Sequence, residues 1–296
     1  MNQNKTQCPV CGSNKISKTT STQDYFLTNE KFDILTCSDC SYSMTFPIPR
    51  PSDLPKYYQS ENYLSHTASK KGAINSLYQV LRNINLKRKY KLVSKYKTEG
   101  QILDIGCGTG ELLNYFSNRN WKVQGIEPNS EARNFAIKQY KLEIFSEEEL
   151  PKLPKEQFDI ITMWHVLEHV PDFNLRIDEI KKLLKPHGTI FIAVPNINSP
   201  DAKYYGKYWA ALDVPRHLHH FSPKSIKQVA KKNKLNLIEM VPMKMDAYYV
   251  SLLSEKYLKK DFSFLRAFYQ GLRSNLMASK SNNYSSMIFV FKNSME

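Results

Sequence analysis

A short glycine-rich stretch, residues 102–113, has the composition of a ligand-binding loop. Its letters, ILDIGCGTGELL, contain a carboxylate, Asp104, followed by three alternate glycines, Gly106, Gly108 and Gly110. Glycine lets the backbone pass close beneath a ligand, and a carboxylate favours a cationic group. The residue after Gly110 is Glu111, whose carboxylate would repel a phosphate, so a nucleoside-triphosphate loop is disfavoured. A dinucleotide loop also fits poorly, because Glu111 takes the place of its third glycine.

Two cysteine pairs near the amino end have the spacing of a metal site. The pairs are Cys8 with Cys11 and Cys37 with Cys40. A two-residue gap lets both thiolates of a pair face one tetrahedral ion, and two pairs complete a closed four-sulfur shell. We therefore predict structural zinc, since four sulfurs leave no position for water. Disulfides, an empty site or redox use are the alternatives, and a reducing compartment disfavours disulfides.

Residues 196–221 are too long and too aromatic for a simple connector, and they gather titratable side chains. We predict a substrate lid in which His217 is the leading general base and His220 the second candidate. Asp213 would orient the base, and Arg216 would clamp an anionic substrate. Two alternatives stay open: these groups hold the lid itself by hydrogen bonds, or the histidines bind a metal.

The elements that must position these residues alternate in type beyond Gly100. Short apolar runs such as ILDIG, KVQGIE and FDIITM are separated by amphipathic runs, which predicts parallel strands joined by helices. Ligands in such sheets bind beyond the carboxyl ends of the strands. The glycine loop ends the first of these strands. Glu127 ends the second, where a carboxylate can accept both hydroxyls of a ribose.

The stretch from Asp104 to Gly110 resembles motif I of the class I S-adenosylmethionine-dependent methyltransferases, and FDIITMWHVLEHVPD and LLKPHGTIFIAVPN resemble later motifs of that family. The resemblance implies an α/β fold with a Rossmann-like, seven-stranded, doubly wound sheet. It also implies that Asp104 holds the methionine amino group and Glu127 the ribose. Glu147 or Glu148 would replace the Asp that usually meets the adenine. The cofactor-binding residues implied are Asp104, Gly106, Cys107, Gly108, Gly110, Glu127, Trp164 and His165.

The sequence His165-Val-Leu-Glu168-His169 also matches the inverted signature of zinc proteases. That arrangement needs a helix, whereas His165 directly follows a predicted strand and Pro171 leaves hardly one turn. We therefore interpret Trp164 and His165 as the tip of a strand beside the cofactor, with Glu168 and His169 orienting the turn. A packed, hydrogen-bonded histidine pair is the alternative.

The predicted domains are a small zinc ribbon (1–50), a proline-rich connector with a helical bridge (51–98) and a methyltransferase domain (99–296). The last of these carries the lid insertion at 196–221 and a helical insertion at 245–283. Together these parts resemble bacterial zinc-ribbon methyltransferases, some of which act on nucleotide sugars. The relatives with nucleotide-sugar substrates carry a further large carboxyl-terminal domain, which this sequence lacks.

Composition sets outer limits on function. The net charge of +14 comes from dispersed lysines, and the start, MNQNKTQCPV, is polar, so we expect a cytoplasmic protein without a membrane partner. The expected reaction is methyl transfer to a small-molecule or saccharide-type acceptor. An RNA methyltransferase and a non-catalytic S-adenosylmethionine-binding module are the alternatives. The sequence gives no oligomeric state.

Overall fold

The computed structural model describes residues 7–58, 73–259 and 263–293. Its amino-terminal part is an antiparallel sheet of strands β1 (Ile16–Gln23), β2 (Lys31–Cys37) and β3 (Ser43–Phe46). A two-residue strand from the predicted lid, β9 (His219–His220), pairs antiparallel with β3. The predicted ribbon therefore shares its sheet with a segment more than 170 residues away.

A second sheet has the strand order β10-β11-β8-β7-β4-β5-β6. Its strands are β4 (Gln101–Ile105), β5 (Lys122–Ile126), β6 (Glu143–Phe145), β7 (Phe158–Trp164), β8 (Leu184–Pro195), β10 (Leu235–Pro242) and β11 (Ser286–Asn293). Strands β4 to β7 pair in parallel where they are neighbours. This sheet confirms the predicted seven-stranded α/β fold.

The helices that accompany the strands are α1 (Ala73–Ser94), α2 (Glu111–Ser117), α3 (Ser130–Tyr140), α4 (Phe173–Leu183), α5 (Pro200–Tyr205), α6 (Pro223–Lys232), α7 (Asp246–Lys259) and α8 (Phe264–Ser281). Local sequence explains several of their starts. Ser222 caps α6 in a capping box with Ser225, and Pro223 occupies its first turn. Asn129 caps α3 by accepting two backbone N–H groups.

The chain divides into two compact units, which we call the ribbon unit and the loop unit. The ribbon unit comprises the described residues of Met1–Gln59, His165–Asn174 and Ile192–Val290, and the loop unit those of Ser60–Trp164, Leu175–Phe191 and Phe291–Glu296. Phe32, Trp209 and Val214 belong to a hydrophobic cluster in the ribbon unit. In the loop unit, Phe116 is buried and packs edge-on against Trp121.

The predicted domain boundaries stay predictions. Most of the stretch YYQSENYLSH in the predicted connector lies outside the described residues. The predicted helical insertion at 245–283 contains α7 and α8. Among the described residues, every helix is too short or too polar to cross a lipid bilayer.

Candidate functional site

Two buried carboxylates lie at the carboxyl ends of the neighbouring strands β4 and β5. Glu127 directly follows β5 and is 8% exposed. Its two oxygens accept backbone N–H groups from Asn129 and Gly108, each at 2.8 Å. Burial raises the pKa of Glu127 in spite of these two hydrogen bonds. The hydrogen bonds fix the carboxylate beside the glycine loop, and each oxygen keeps a lone pair for a ligand hydroxyl.

Asp104 is the second of these carboxylates and is 3% exposed. The Thr162 hydroxyl donates to its Oδ1 at 2.5 Å. Burial raises the pKa of Asp104 to about 6, and the Glu127 charge adds to this, while Thr162 and the cation of Lys89 oppose it. A buried carboxylate with a raised pKa gains most from a cationic ligand, which would supply the missing countercharge.

The glycine loop leaves open space beside these carboxylates. Gly108 has a φ of +55°, and a Cβ placed there would have no atom within 4 Å. At Gly110, with a φ of +80°, a Cβ would lie 2.8 Å from Leu142. The loop therefore needs glycine for packing at Gly110, and at Gly108 it needs glycine for its backbone conformation alone. Gly106 also has a positive φ, and burial raises the pKa of the Cys107 thiol.

The other residues predicted to meet the cofactor differ in their surroundings. Lys89 places its ammonium 4.2 Å from the centre of the Trp164 ring at the end of β7. Glu147 accepts a hydrogen bond from Arg176 at 2.5 Å, so its carboxylate is already paired. Glu148 is exposed, and its pKa is lowered chiefly by a hydrogen bond from Ser146.

The four predicted metal-binding cysteines come together in the ribbon unit. The sulfurs of Cys8 and Cys40 are 3.5 Å apart, and those of Cys11 and Cys37 are 3.6 Å apart. All four sulfurs lie within 4.8 Å of one another. Backbone N–H groups outweigh burial at Cys37 and lower its thiol pKa to about 7. Four converging sulfurs, one of them readily deprotonated, form a donor set suited to a thiophilic metal ion.

A buried charge network lies in the ribbon unit around Glu168, which is 0% exposed. The His165 ring is 3.4 Å from Glu168 through Nδ1 and 3.1 Å from Asp246 through Nε2. Burial opposes protonation of His165, but the two carboxylates outweigh it and raise its pKa to about 10. The same imidazolium lowers the pKa of Glu168 against the effect of burial. His165 is therefore an imidazolium, with the N–H at Nδ1 facing Glu168 and the N–H at Nε2 facing Asp246.

Two further histidines face the same carboxylate. One donor atom each from Glu168, His169 and His217 lies within 4.8 Å of the others. Nδ1 of His169 is 3.0 Å from the Arg216 carbonyl oxygen, and Nδ1 of His217 is 2.9 Å from that of Ala211. Carbonyl oxygens only accept hydrogen bonds, so both Nδ1 atoms carry the proton. Whenever either ring is neutral, its Nε2 therefore keeps an acceptor lone pair.

Arg216 and Asp213 of the predicted lid contact other residues of the ribbon unit. The Arg216 guanidinium is 2% exposed and donates to Asp24, Asp213 and the Tyr57 carbonyl oxygen. The predicted anion clamp is therefore wrong, because this guanidinium is buried and already paired. Asp213 Oδ2 is 4.0 Å from Nε2 of His217.

His220, the second base candidate, is 3% exposed in β9, where its Nε2 donates to the Thr45 hydroxyl. Burial lowers its pKa well below the usual value. The neighbouring His219 is also buried, donating through Nε2 to the Val170 carbonyl oxygen.

Sequence reasoning missed two carboxylates of the ribbon unit. Asp246 lies 81 positions from its partner His165, and Asp24 lies 192 positions from Arg216. Asp246 opens α7, and an acid at the start of a helix is ordinarily explained by the helix dipole alone. Asp24 precedes a turn and accepts hydrogen bonds from the backbone N–H groups of Phe26 and Thr28. Neither position carried a signal for its distant partner.

Comparisons with known proteins identify the family of this chain. The model of the Methyltransferase domain family matches residues 76–240. A ubiquinone biosynthesis O-methyltransferase of Histophilus somni is 31% identical over 180 residues, 56% of this chain and 75% of that protein. The protein of the same name from Pelagibacter ubique is 32% identical over 148 residues, 46% of this chain and 62% of that protein, so the match spans less than two thirds of its length.

A solved structure from Galdieria sulphuraria, described as a sarcosine dimethylglycine methyltransferase, has the same fold. Its TM-score is 0.50 at 12% identity, and the match covers 73% of this chain and 86% of that one. The family match spans more than half of the chain and contains both strand-end carboxylates and the glycine loop. The chain belongs to the Methyltransferase domain family and is a class I S-adenosylmethionine-dependent methyltransferase.

Proposed function

We propose that this enzyme transfers the methyl group of S-adenosylmethionine to a hydroxyl group of a small molecule. The observation that carries the proposal is the pair of buried carboxylates, Asp104 and Glu127, beside an open glycine loop. The choice of oxygen as acceptor is supported by the relatives, which are named O-methyltransferases. A saccharide-type hydroxyl belongs to the same class of acceptor.

Asp104 and Glu127 are proposed to hold the two polar ends of the cofactor. The raised pKa of Asp104 suits a carboxylate that a cationic ligand stabilises, here the methionine ammonium group. The fixed oxygens of Glu127 suit the two ribose hydroxyls. The open space over Gly108 gives room for the adenosyl group. When bound, the cofactor supplies a methyl group on a sulfonium, which is already a strong electrophile.

His217 is proposed to remove the proton of the acceptor hydroxyl. Its Nδ1 donates to a carbonyl oxygen, so its Nε2 can accept a proton. Asp213, at 4.0 Å from Nε2, favours the imidazolium that results. His220 suits this role less well because its Nε2 is already a buried donor. A cation held by Glu168, His169 and His217 is the alternative for this cluster. The sequence left open metal binding by the histidines of the lid, to which His217 belongs.

The experiment supplies methyl-labelled S-adenosylmethionine and a fractionated cell extract to the purified enzyme. We expect label in small metabolites as a base-stable methyl ether. Label in RNA that falls steeply with salt would instead favour the RNA alternative. Cofactor binding without labelling of any fraction would favour the non-catalytic alternative.

The variant His217→Ala tests the base in the labelled fraction. We expect kcat to fall by about 10²–10⁴-fold while KM and cofactor affinity stay unchanged, with partial rescue by added imidazole. His187→Ala is the matched control because His187 is an exposed histidine of the loop unit. Full turnover by His217→Ala would reject this base. Activity lost to a chelator and restored by a divalent cation would favour the cation alternative.

The four-cysteine cluster is proposed to hold one structural zinc ion. Cys8, Cys11, Cys37 and Cys40 would occupy all four positions of a tetrahedral ion, which leaves the ion no catalytic position. We expect one zinc per chain by elemental analysis, and loss of zinc together with a lower Tm in Cys37→Ser. Cys107→Ser is the control, because Cys107 lies in the loop unit. A full-length chain that folds with the same Tm without metal would reject the zinc.

A further inference from the structure

Helix α8 presents an unusually apolar face to solvent. Seven large hydrophobic side chains of this helix are 40–82% exposed, and we consider five of them together, namely Leu265, Phe268, Tyr269, Leu272 and Leu276. Their spacing of three, four, seven and eleven residues from the first places them on one face. The buried face has small residues instead, which are Ala267, Gly271, Ser274 and Ala278. A Cβ at Gly271 would lie 2.7 Å from Tyr248 of α7, so this face packs closely.

A row of cations borders this apolar face. Arg266, Arg273 and Lys280 recur every seven residues, which is close to two helical turns, so they line up along one flank of the helix. All three are exposed. The eighteen residues of α8 contain no Asp or Glu. An apolar strip with cations along its edge is the composition of helices that lie in the plane of a lipid surface.

Among the described residues, one carboxylate forms an ion pair with a cation of α8. Glu255 of α7 is 1% exposed and accepts from Arg266 at 3.3 Å. Asp201 of α5 is 2% exposed and accepts from Ser274 on the buried face. Both carboxylates lie inside the ribbon unit. The outward side of α8 therefore keeps the positive charge of Arg273 and Lys280.

We infer that the exposed face of α8 binds the surface of an anionic phospholipid membrane. This inference departs from the sequence-based expectation of no membrane partner, and it depends on α8 alone, not on the proposed reaction. Membrane lipid supplies both an apolar layer for the leucines and aromatic rings and anionic headgroups for the cations. A second copy of the chain fits less well, because another α8 would bring further cations and no carboxylate.

The test is flotation of the full-length, metal-loaded protein with vesicles. We expect it to float with vesicles of equal parts phosphatidylglycerol and phosphatidylcholine at low salt, and not with pure phosphatidylcholine. Leu265→Ser/Leu276→Ser and Arg273→Gln/Lys280→Gln should each weaken binding by about tenfold or more. Both pairs are exposed, so Tm and methyl-donor affinity should not change.

Matched control variants test whether flotation depends on α8 itself or only on net charge and exposed apolar side chains. Phe135→Ser/Ile137→Ser removes two exposed apolar side chains of α3. Lys138→Gln/Lys224→Gln removes two exposed cations elsewhere, with the same change in net charge. We expect wild-type flotation from both. Equal losses in the controls, or no flotation of the wild type, would overturn the inference. So would a dimer in light scattering that Leu265→Ser/Leu276→Ser converts to monomer, since a second copy would then cover the face.

Discussion

Each of the two units buries a carboxylate, but the pKa of one carboxylate is raised and that of the other is lowered. Asp104 in the loop unit has one short hydroxyl partner, and burial raises its pKa to about 6. Glu168 in the ribbon unit is even less exposed, yet the imidazolium of His165 lowers its pKa. Burial acts on both side chains in the same direction, so the difference comes from the partner. Lys89 only partly opposes the rise in the pKa of Asp104, whereas the His165 imidazolium, 3.4 Å away, lowers the pKa of Glu168.

This difference separates a carboxylate that recognises a ligand from one that organises its own surroundings. An ionised group without a countercharge costs folding free energy, which a cationic ligand can return as binding free energy. A group that the protein has already paired has no such free energy to offer. It fixes the turn that carries His165 and His169 instead.

The largest effect is expected from removing the charge of Glu168. Glu168→Gln leaves the His165 cation, whose side chain is 34% exposed, with Asp246 as its remaining carboxylate partner. Loss of one member of a fully buried ion pair typically costs about 3–5 kcal/mol, so we expect the free energy of unfolding in denaturant titrations to fall by an amount near the lower end of that range. Glu149→Gln, which breaks an exposed pair with Lys152, should change it by about 0.5 kcal/mol or less. Equal effects of the two substitutions would contradict the pairing described for Glu168.

Asp104→Asn should act in the opposite direction on stability. The pKa of Asp104 lies about 2 units above its ordinary value of 3.8, so at neutral pH the ionised form costs the folded state up to about 3 kcal/mol. Asparagine keeps the acceptor for Thr162 and removes the charge. We expect a higher Tm at neutral pH, together with a loss of S-adenosylmethionine affinity of about tenfold to a hundredfold by calorimetry. A variant with lower stability and unchanged affinity would show that Asp104 is structural.

Cofactor affinity should also depend on pH in a direction set by Asp104. Below a pKa of about 6 the side chain becomes protonated and no longer attracts the methionine ammonium group. We expect affinity to fall by about tenfold for each pH unit below that point. The fall should end at the lower pKa that Asp104 has in the complex, where the cofactor's cation stabilises the carboxylate. In Asp104→Asn this part of the pH profile should be flat. A wild-type profile that is flat between pH 7.5 and about 5 would contradict an ionised Asp104 as the cofactor's partner.

The loop unit was more predictable from sequence than the ribbon unit for a physical reason. Its glycine loop and Glu127 depend on backbone conformations and strand ends that short stretches of sequence encode. The cap at Ser222 and the spacing of the cysteines are equally local. The pairing of His165 with Asp246 spans 81 positions, and it arises from tertiary packing that no periodicity records.

The lid shows the same limit in another form. The sequence predicts that its histidines form a cluster of titratable groups, but a two-residue strand such as β9 has no pattern of its own. Pairing with β3 determines that His219 and His220 are buried. Arg216 likewise looked available for a substrate because Asp24, its buried partner, lies near the other end of the chain.

The smallest expected effect compares two glycines, one from each unit. Gly108 and Gly206 both have a φ between +50° and +60°, and at both a Cβ would have open space around it. Alanine should cost each unit about 1–2 kcal/mol through backbone strain, visible as a lower Tm. Only in Gly108→Ala would the new methyl group also occupy the space proposed for the adenosyl group, so only this variant should lose S-adenosylmethionine affinity, by about tenfold. Because Gly206→Ala carries at least the same strain, an equal loss of affinity in both variants would mean that destabilisation alone weakens binding. The open space over Gly108 would then have no part in holding the cofactor.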